Sequence, residues 1–270
     1  MSDFSVLMSI YNGEKADNLT DSLGSILNQT LKPTQVVLVL DGPIRQELMQ
    51  VINRFKDVLP LEIIKIEANV GLAAALNKGL KSCHYDLIAR MDTDDICRSD
   101  RFERQVFLMK KHPEIGITGS YIDEFYESHL SPSKRRVTPI NHQEIIRYSK
   151  YRNPFNHMTV MFRKHLVTKY GAYPDQKFAQ DYHLWMNMIH NGVIGHNISE
   201  PLVFARTGRD LFKRRGGIKY FSIEKRMFLT FYRNGYINKC ELATNLVYRY
   251  ISRIISPRLR ENLYLKFLRN

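Results

Sequence analysis

Asp92-Thr93-Asp94-Asp95 packs three carboxylates into four residues. They follow an apolar run, Asp86 to Met91, that reads as a strand. Open α/β sheets bind ligands at the carboxyl edge of their strands. Carboxylates this close repel one another unless a cation or a basic group neutralises them. A hard divalent ion held by one or two carboxylates plus substrate phosphates is the usual answer. The spacing therefore points to a metal-assisted site for a phosphate-bearing substrate. Taken alone, the same cluster also reads as a polar turn capping the helix that follows.

The elements needed to position that cluster are legible along the first hundred residues. Phe4 to Ser9 predicts a strand, Asn18 to Gln29 a helix capped by Asp17 or Asn18, and Gln35 to Leu40 a strand apolar enough to be buried on both faces. Ile44 to Asp57 predicts a helix, Leu61 to Ile66 a strand, Gly71 to Ser82 a helix, and Tyr85 to Met91 the fourth strand. Alternation of this kind implies an α/β fold with a mostly parallel sheet and right-handed crossovers. Farther on, helices are expected over Arg101 to Lys111 and Asp181 to Asn191, and short strands over Ile115 to Gly119 and Leu202 to Arg206. Residues 121–160 resist assignment, since Ser131-Pro132 and Pro139 break any long element. Residues 218–234 and 238–255 read as two basic helices.

Four loops then share the carboxyl edge: Ser9 to Glu14, Asp41-Gly42, Asn69 to Gly79, and the Asp cluster. Each is weak alone, because an Asp after a strand is commonly a turn residue. As an ordered set they resemble the inverting family 2 glycosyltransferases of GT-A fold. The first loop stands as Ser9-Ile10-Tyr11-Asn12-Gly13-Glu14, Asp41 follows the second strand, Asn69 to Gly79 carries the family's Asn and Gly spacing, and Asp92 and Asp94 form the Asp-x-Asp. Gln180-Asp181-Tyr182-His183-Leu184-Trp185 matches the family's acidic residue before a Leu-Trp helix, with Gln180 where a Glu is common. Arg90 to Asp95 and Asn153 to Thr159 look most like bacterial transferases that build O-antigen or exopolysaccharide repeat units.

The resemblance implies roles. Asp94 and Asp92 would hold Mn2+ or Mg2+ against a diphosphate leaving group. Asp181 would be the general base for a sugar hydroxyl, giving single displacement and an inverted, β-linked product. Asp41 and Tyr11 would grip a uracil-type base, and Glu14 the ribose or its neighbours. Ser9, Asn12, Asn69, Gly71, Asn77 and Arg206 complete the nucleotide-sugar side. Trp185, His157 and Asp95 are candidate acceptor contacts, although Trp185 also reads as plain core and His157 as a structural hydrogen-bonding residue. Arg206 with Lys213, Arg214 and Arg215, flanked by Gly208, Gly216 and Gly217, suggests a lid over the diphosphate. The expected donor is a UDP-linked glucose or galactose type sugar. The expected acceptor is a saccharide on polyprenyl diphosphate.

Charge divides the chain. Arg206 to Asn270 carries 16 Lys and Arg against 4 Asp and Glu, whereas residues 1–205 are nearly neutral within a total of +13. Residues 1–207 therefore read as the catalytic domain, with a nucleotide-sugar half over about 1–98 and an acceptor half over about 99–207, and residues 208–270 as a basic amphipathic tail. Leu246, Val247, Tyr250, Ile251, Ile254 and Ile255 share a helix face flanked by Arg249 and Arg253, which suits an anionic bilayer. A terminal helix packed on the body is the plainer reading. No zinc-finger, RNP-like or helix-turn-helix signature accompanies the charge, so nucleic acid is not expected as a partner. Cys83, Cys97 and Cys240 have no metal or disulfide spacing, which suggests a reducing compartment. With no apparent signal peptide or spanning segment, the expected place is the cytoplasmic face of the bacterial plasma membrane. Two rivals remain. A nucleotidyltransferase would show a Gly-rich, basic loop after strand one. An inactive assembly module would be expected to lose the Asp cluster or the base.

Overall fold

A computed structural model describes residues 3–208 and 217–254. Strands β1 (Ser5–Ile10), β2 (Gln35–Leu40), β3 (Leu61–Lys65) and β4 (Leu87–Arg90) alternate with helices α1 (Ala16–Leu27), α2 (Gln46–Lys56) and α3 (Leu72–Ser82). All the pairings among these four strands are parallel, with Ile10 beside Leu40 at one edge. That edge collects the loops after β1, β2 and β4. Beyond it follow β5 (Ile96–Cys97), α4 (Arg101–Lys111), β6 (Ile115–Phe125), β7 (Lys134–Arg136), α5 (His142–Ser149), β8 (Met161–Arg163), α6 (Lys164–Lys169), α7 (Gln180–His190) and β9 (Ile194–Arg206). The sheet runs β3-β2-β1-β4-β8-β6-β9-β5, with β7 on β6.

Strand periodicity sorts the core. Val36, Leu38 and Leu40 of β2 face α1, α2 and α4, while Val37 and Val39 face α3. Successive side chains on a strand point to opposite faces, so a strand apolar throughout needs helices on both. The second face is completed by Ile145 of α5, Val167 of α6, and Leu184, Trp185, Met188 and Ile189 of α7. Gly79 lets α3 lie close: a Cβ there would stand 2.5 Å from Val39 and 2.6 Å from Leu7.

The later sheet departs from the sequence reading. β6 extends to Phe125 and β9 begins at Ile194, where short strands were expected over Ile115 to Gly119 and Leu202 to Arg206. The two pair in parallel along most of their length, with register shifts around Tyr121 and Pro201. Bulges of this kind hide a strand from pattern reading, because side chains change face partway. Within the stretch that resisted assignment, Asp123 is buried and takes a two-armed bond from Arg135 of β7 at 2.7 and 3.0 Å. Pairs β4·β8, β6·β8 and β5·β9 are antiparallel, so the sheet is mixed on this side.

Two final helices, α8 (Ile218–Arg233) and α9 (Lys239–Ile254), form a hairpin close to the limits read from sequence. It docks on the first two turns of α7 through Met227, Phe228, Phe231 and Ile237 against Tyr182 and Met186. Arg249 and Arg253 do not flank an outward face. Both pair with the buried carboxylate of Glu224. Ile255 and the proposed lid bases Lys213, Arg214 and Arg215 lie outside the described residues, as does Gly216.

Candidate active site

The loop after β1 is built around Glu14. Its carboxylate accepts from the Lys15 N–H at 2.7 Å, from Asn18 Nδ2 at 3.0 Å and from the Thr93 hydroxyl at 2.9 Å. One side chain thus starts α1 and ties the first loop to the Asp cluster. Helix α1 begins at Ala16, and neither Asp17 nor Asn18 occupies its N-cap position. Ser9 is half-buried at the end of β1 and Asn12 is exposed. Tyr11 is 53% exposed, and its ring lies over Gly13, where a Cβ would come within 2.3 Å of it. The flat ring and the bare backbone make an open platform beside the carboxyl edge.

Asp41 organises the third loop. Its oxygens accept from Asn69 Nδ2 at 3.0 Å, Val70 N at 2.7 Å and Gly71 N at 3.1 Å. Gly71 has φ +88°, a conformation that side chains resist, so the N–H can point back at Asp41. Asn77 was expected to face the donor. It instead holds Tyr173, donating to its carbonyl at 2.7 Å and accepting from its N–H at 3.0 Å. Both ends of its amide are used on that backbone, so Asn77 holds Tyr173 in place.

At the metal candidate, one carboxylate oxygen from each of Asp92, Asp94 and Asp95 lies within 4.8 Å of the others. Asp92 pairs with Arg90, which is only 2% exposed. Asp95 is buried and accepts the Arg206 N–H at 2.8 Å. Burial pushes the Asp94 carboxyl up to about 7, helped by Asp92 and Glu14. Burial, then Asp94 and Asp92, raises Asp95 well above the usual carboxylate range. Hard oxygen donors, negative charge only partly offset by Arg90, and mutual closeness fit a divalent cation. Arg206 closes the far side: Nε donates to the Asp94 carbonyl at 3.1 Å, Nη2 reaches Asp21 at 2.9 Å, and the guanidinium lies 4.7 Å from the Phe125 ring.

Asp181 sits inside the first turn of α7, whose N-cap is Ala179 in a left-handed conformation. Asn153 Nδ2 donates to its carboxylate at 2.6 Å. Tyr173 feels the charge of both acidic groups. Burial raises its phenol, Arg90 opposes this, and the charges of both Asp181 and Asp92 add to it. The Tyr173 hydroxyl meets His157 Nε2 at 3.1 Å. Burial and Arg90 together hold that imidazole well below its ordinary value, so it is neutral. Trp185 corrects an expectation. It is fully buried, ringed by Phe155, Phe162, Tyr173 and His157 at 6.0 to 6.3 Å, and offers no face to a sugar. His157 belongs to the same aromatic wall and lies outside the cation-ready cluster. Arg90, Asn153 and Tyr173 were not assigned roles from sequence. The first two stood in quoted motifs, but Tyr173 gave no local sign, since only folding brings it there.

The description Glycosyl transferase family 2 matches residues 5–171. The chain belongs to this family. It is 40% identical over 225 residues to the amylovoran biosynthesis glycosyltransferase AmsE of Erwinia amylovora, covering 83% of this chain and 84% of that one. It is 36% identical over 266 residues to an Escherichia coli protein named UDP-Gal:alpha-D-GlcNAc-diphosphoundecaprenol beta-1,3-galactosyltransferase, covering 98% and 96%. The fold is also that of S. aureus TarS 1-349 in complex with UDP-GlcNAc, with a TM-score of 0.69 at 17% identity over 98% of this chain and 73% of that one. A GT-A glycosyltransferase fold is thereby shown, with the carboxyl-edge loops where the family's sequence match lies.

Proposed function

We propose that this family 2 glycosyltransferase moves one hexose from a UDP-sugar to a saccharide on polyprenyl diphosphate, with inversion, during assembly of an O-antigen or exopolysaccharide repeat. The observation that carries the reading is the placement of Asp181. The charges of Asp181 and of Asp92 in the Asp92–Asp94–Asp95 cluster both act on the buried Tyr173, which supports a base and a diphosphate-facing centre working at one site. The near full-length E. coli relative, whose name specifies UDP-Gal and a GlcNAc-diphosphoundecaprenol acceptor, supports the choice of substrates.

Asp181 takes the proton of the attacking sugar hydroxyl, aimed by the Asn153 amide. Asp41 shapes the Asn69–Gly71 loop for the nucleotide. Three donors already occupy its two oxygens, which leaves acceptor capacity for one ring N–H. Tyr11 offers its ring to the base, with Ser9 and Asn12 beside it. Asp94 and Asp92 would hold Mn2+ or Mg2+, which supplies Lewis-acid charge to the leaving diphosphate. Asp95 fixes the Arg206 backbone, and Arg206 rims the diphosphate side.

The hairpin adds a place. Val247, Tyr250, Ile251 and Ile254 of α9 are all more than half exposed and fall on the side away from buried Asn245. Lys219, Lys225, Arg226 and Arg233 are exposed on α8. Apolar groups beside bases suit an anionic bilayer, where a polyprenyl acceptor resides. No helix among the described residues is long and apolar enough to cross a membrane. The working position in this reading is peripheral, on the cytoplasmic face of the inner membrane.

The test is a panel of nucleotide sugars with a water-soluble alkyl diphosphate bearing GlcNAc, with Mn2+ or EDTA. UDP release from UDP-galactose with a β-linked product, abolished by EDTA and by Asp94→Ala, is the expected result. Absence of UDP binding with Mn2+ present would overturn the reading.

A further inference from the structure

We infer that Arg249, near the end of the last described helix, is a positioning residue for the base: it fixes the strip of chain that aims Asp181. The inference rests on the reading of Asp181 as the base. Three side chains of α9 grip residues 150 and 151. Glu241 pairs with Lys150 at 2.8 Å, Asn245 Nδ2 donates to the Lys150 carbonyl at 3.0 Å, and Arg249 Nη2 donates to the Tyr151 carbonyl at 2.8 Å. Two residues on, Asn153 donates to Asp181 at 2.6 Å and accepts from the Phe155 N–H at 3.2 Å, which sets which way its amide faces. No regular element intervenes between Tyr151 and Asn153 to absorb a displacement.

The same hairpin holds Asp181 from its other neighbour. The ring of Tyr182 lies 6.1 Å from Phe228 and 5.4 Å from Phe231, and its hydroxyl donates to the Ser149 carbonyl at 2.5 Å. The first turn of α7 and the strip 149–153 are thus two jaws set by one part.

Arg249 is suited to this by its own confinement. One arm bonds Glu224, which is 4% exposed and also takes two bonds from Arg253 at 2.8 Å. The Arg249 guanidinium lies 4.5 Å from the Phe228 ring. Separating a buried ion pair is strongly unfavourable, so the guanidinium stays where Glu224 puts it. The planar fork then presents its second arm in a fixed direction, as a lysine cannot. With its side chain largely covered, Arg249 contributes to the tail's positive charge without being available to an anionic surface.

The experiment uses the full chain, with UDP-galactose and the alkyl diphosphate GlcNAc acceptor, in solution without vesicles. Arg249→Lys keeps a cation beside Glu224 but cannot also hold Tyr151. A drop in kcat of about tenfold is expected, within the cost of a sub-ångström misplacement, while KM for the donor and UDP affinity are unchanged. Asn153→Ala should lower kcat by about 100-fold. The double variant should be no slower than Asn153→Ala alone, because both act through one carboxylate. Asn245→Ala, which disturbs no buried charge, should repeat the Arg249→Lys pattern more weakly. Hydrogen exchange over 149–155 should quicken in Arg249→Lys and Asn245→Ala, with 69–82 unaffected. Unchanged exchange over 149–155, a wild-type kcat for Arg249→Lys, or losses that multiply in the double variant would each overturn the inference. Full turnover by Asp181→Asn would instead sink the base assignment, while the exchange data would still report the grip on Tyr151.

Discussion

The Asp92–Asp95 cluster and Asp181 are held in opposite ways. Asp92, Asp94 and Asp95 crowd together, with Arg90 pairing one of them and burial raising the other two. Asp181 instead takes a short bond from a neutral amide, itself fixed by a backbone N–H. The first end stores unfavourable charge that a cation relieves. The second spends its contacts on direction. On the proposed roles the difference makes sense: a centre that binds an ion benefits from excess charge, whereas a base that meets one proton benefits from aim.

The contrast is broken most directly by paired substitutions. Asp94→Ala and Asp181→Asn are each expected to reduce turnover by about 10³-fold or more. They should separate in calorimetry with UDP and Mn2+. Asp94→Ala loses metal-dependent UDP binding, and Asp181→Asn keeps it. If Asp181→Asn also loses UDP, the two ends are one binding site and the division fails.

The two ends also differ in how visible they were. The first four strands follow local rules: strands buried on both faces, one crossover helix each, and a polar loop after each strand. Asp41, Glu14 and the Asp cluster could be placed because the loop after a parallel strand has only one edge to go to. Their partners could not. Asn77 looks like a ligand in its motif, yet it is spent on Tyr173, 96 residues away. In the later part of the sheet β6 and β9 are long, bulged and partly polar, so periodicity broke where Pro201 meets Tyr121. Trp185 fits core or platform equally until packing decides. Arg249 and Arg253 sit beside an apolar stripe in sequence, and only the fold shows Glu224 taking both.

A middle-sized effect tests the outer face of the hairpin against its inner one. Val247→Asp with Ile251→Asp removes apolar contact without touching Glu224 or Arg249. Flotation on vesicles containing anionic lipid should weaken by about tenfold or more, given the worth of burying two aliphatic side chains. Turnover of the water-soluble acceptor should be retained. Equal flotation of variant and parent would assign that face to something other than a bilayer.

The smallest expected effect is a gain in stability. Without metal, the Asp94 carboxyl titrates at about 7 in the folded chain against 3.8 when unperturbed, so between these values the native state holds a proton that the unfolded chain has released. Stability then falls as pH rises through that window, and the penalty is complete above about 7. Asp94→Asn removes the charge while keeping the shape. In EDTA at pH 8 its thermal midpoint should exceed the parent's by a few degrees, equivalent to about 1–3 kcal/mol after allowance for its partial exposure. At pH 4 the difference should vanish, because the parent carboxyl is then protonated as well. Adding Mn2+ at pH 8 should reverse the order, since the parent alone gains from the ion. A midpoint at pH 8 no higher than the parent's would mean the three carboxylates are already neutralised, and the stressed end would be no different from the aimed one.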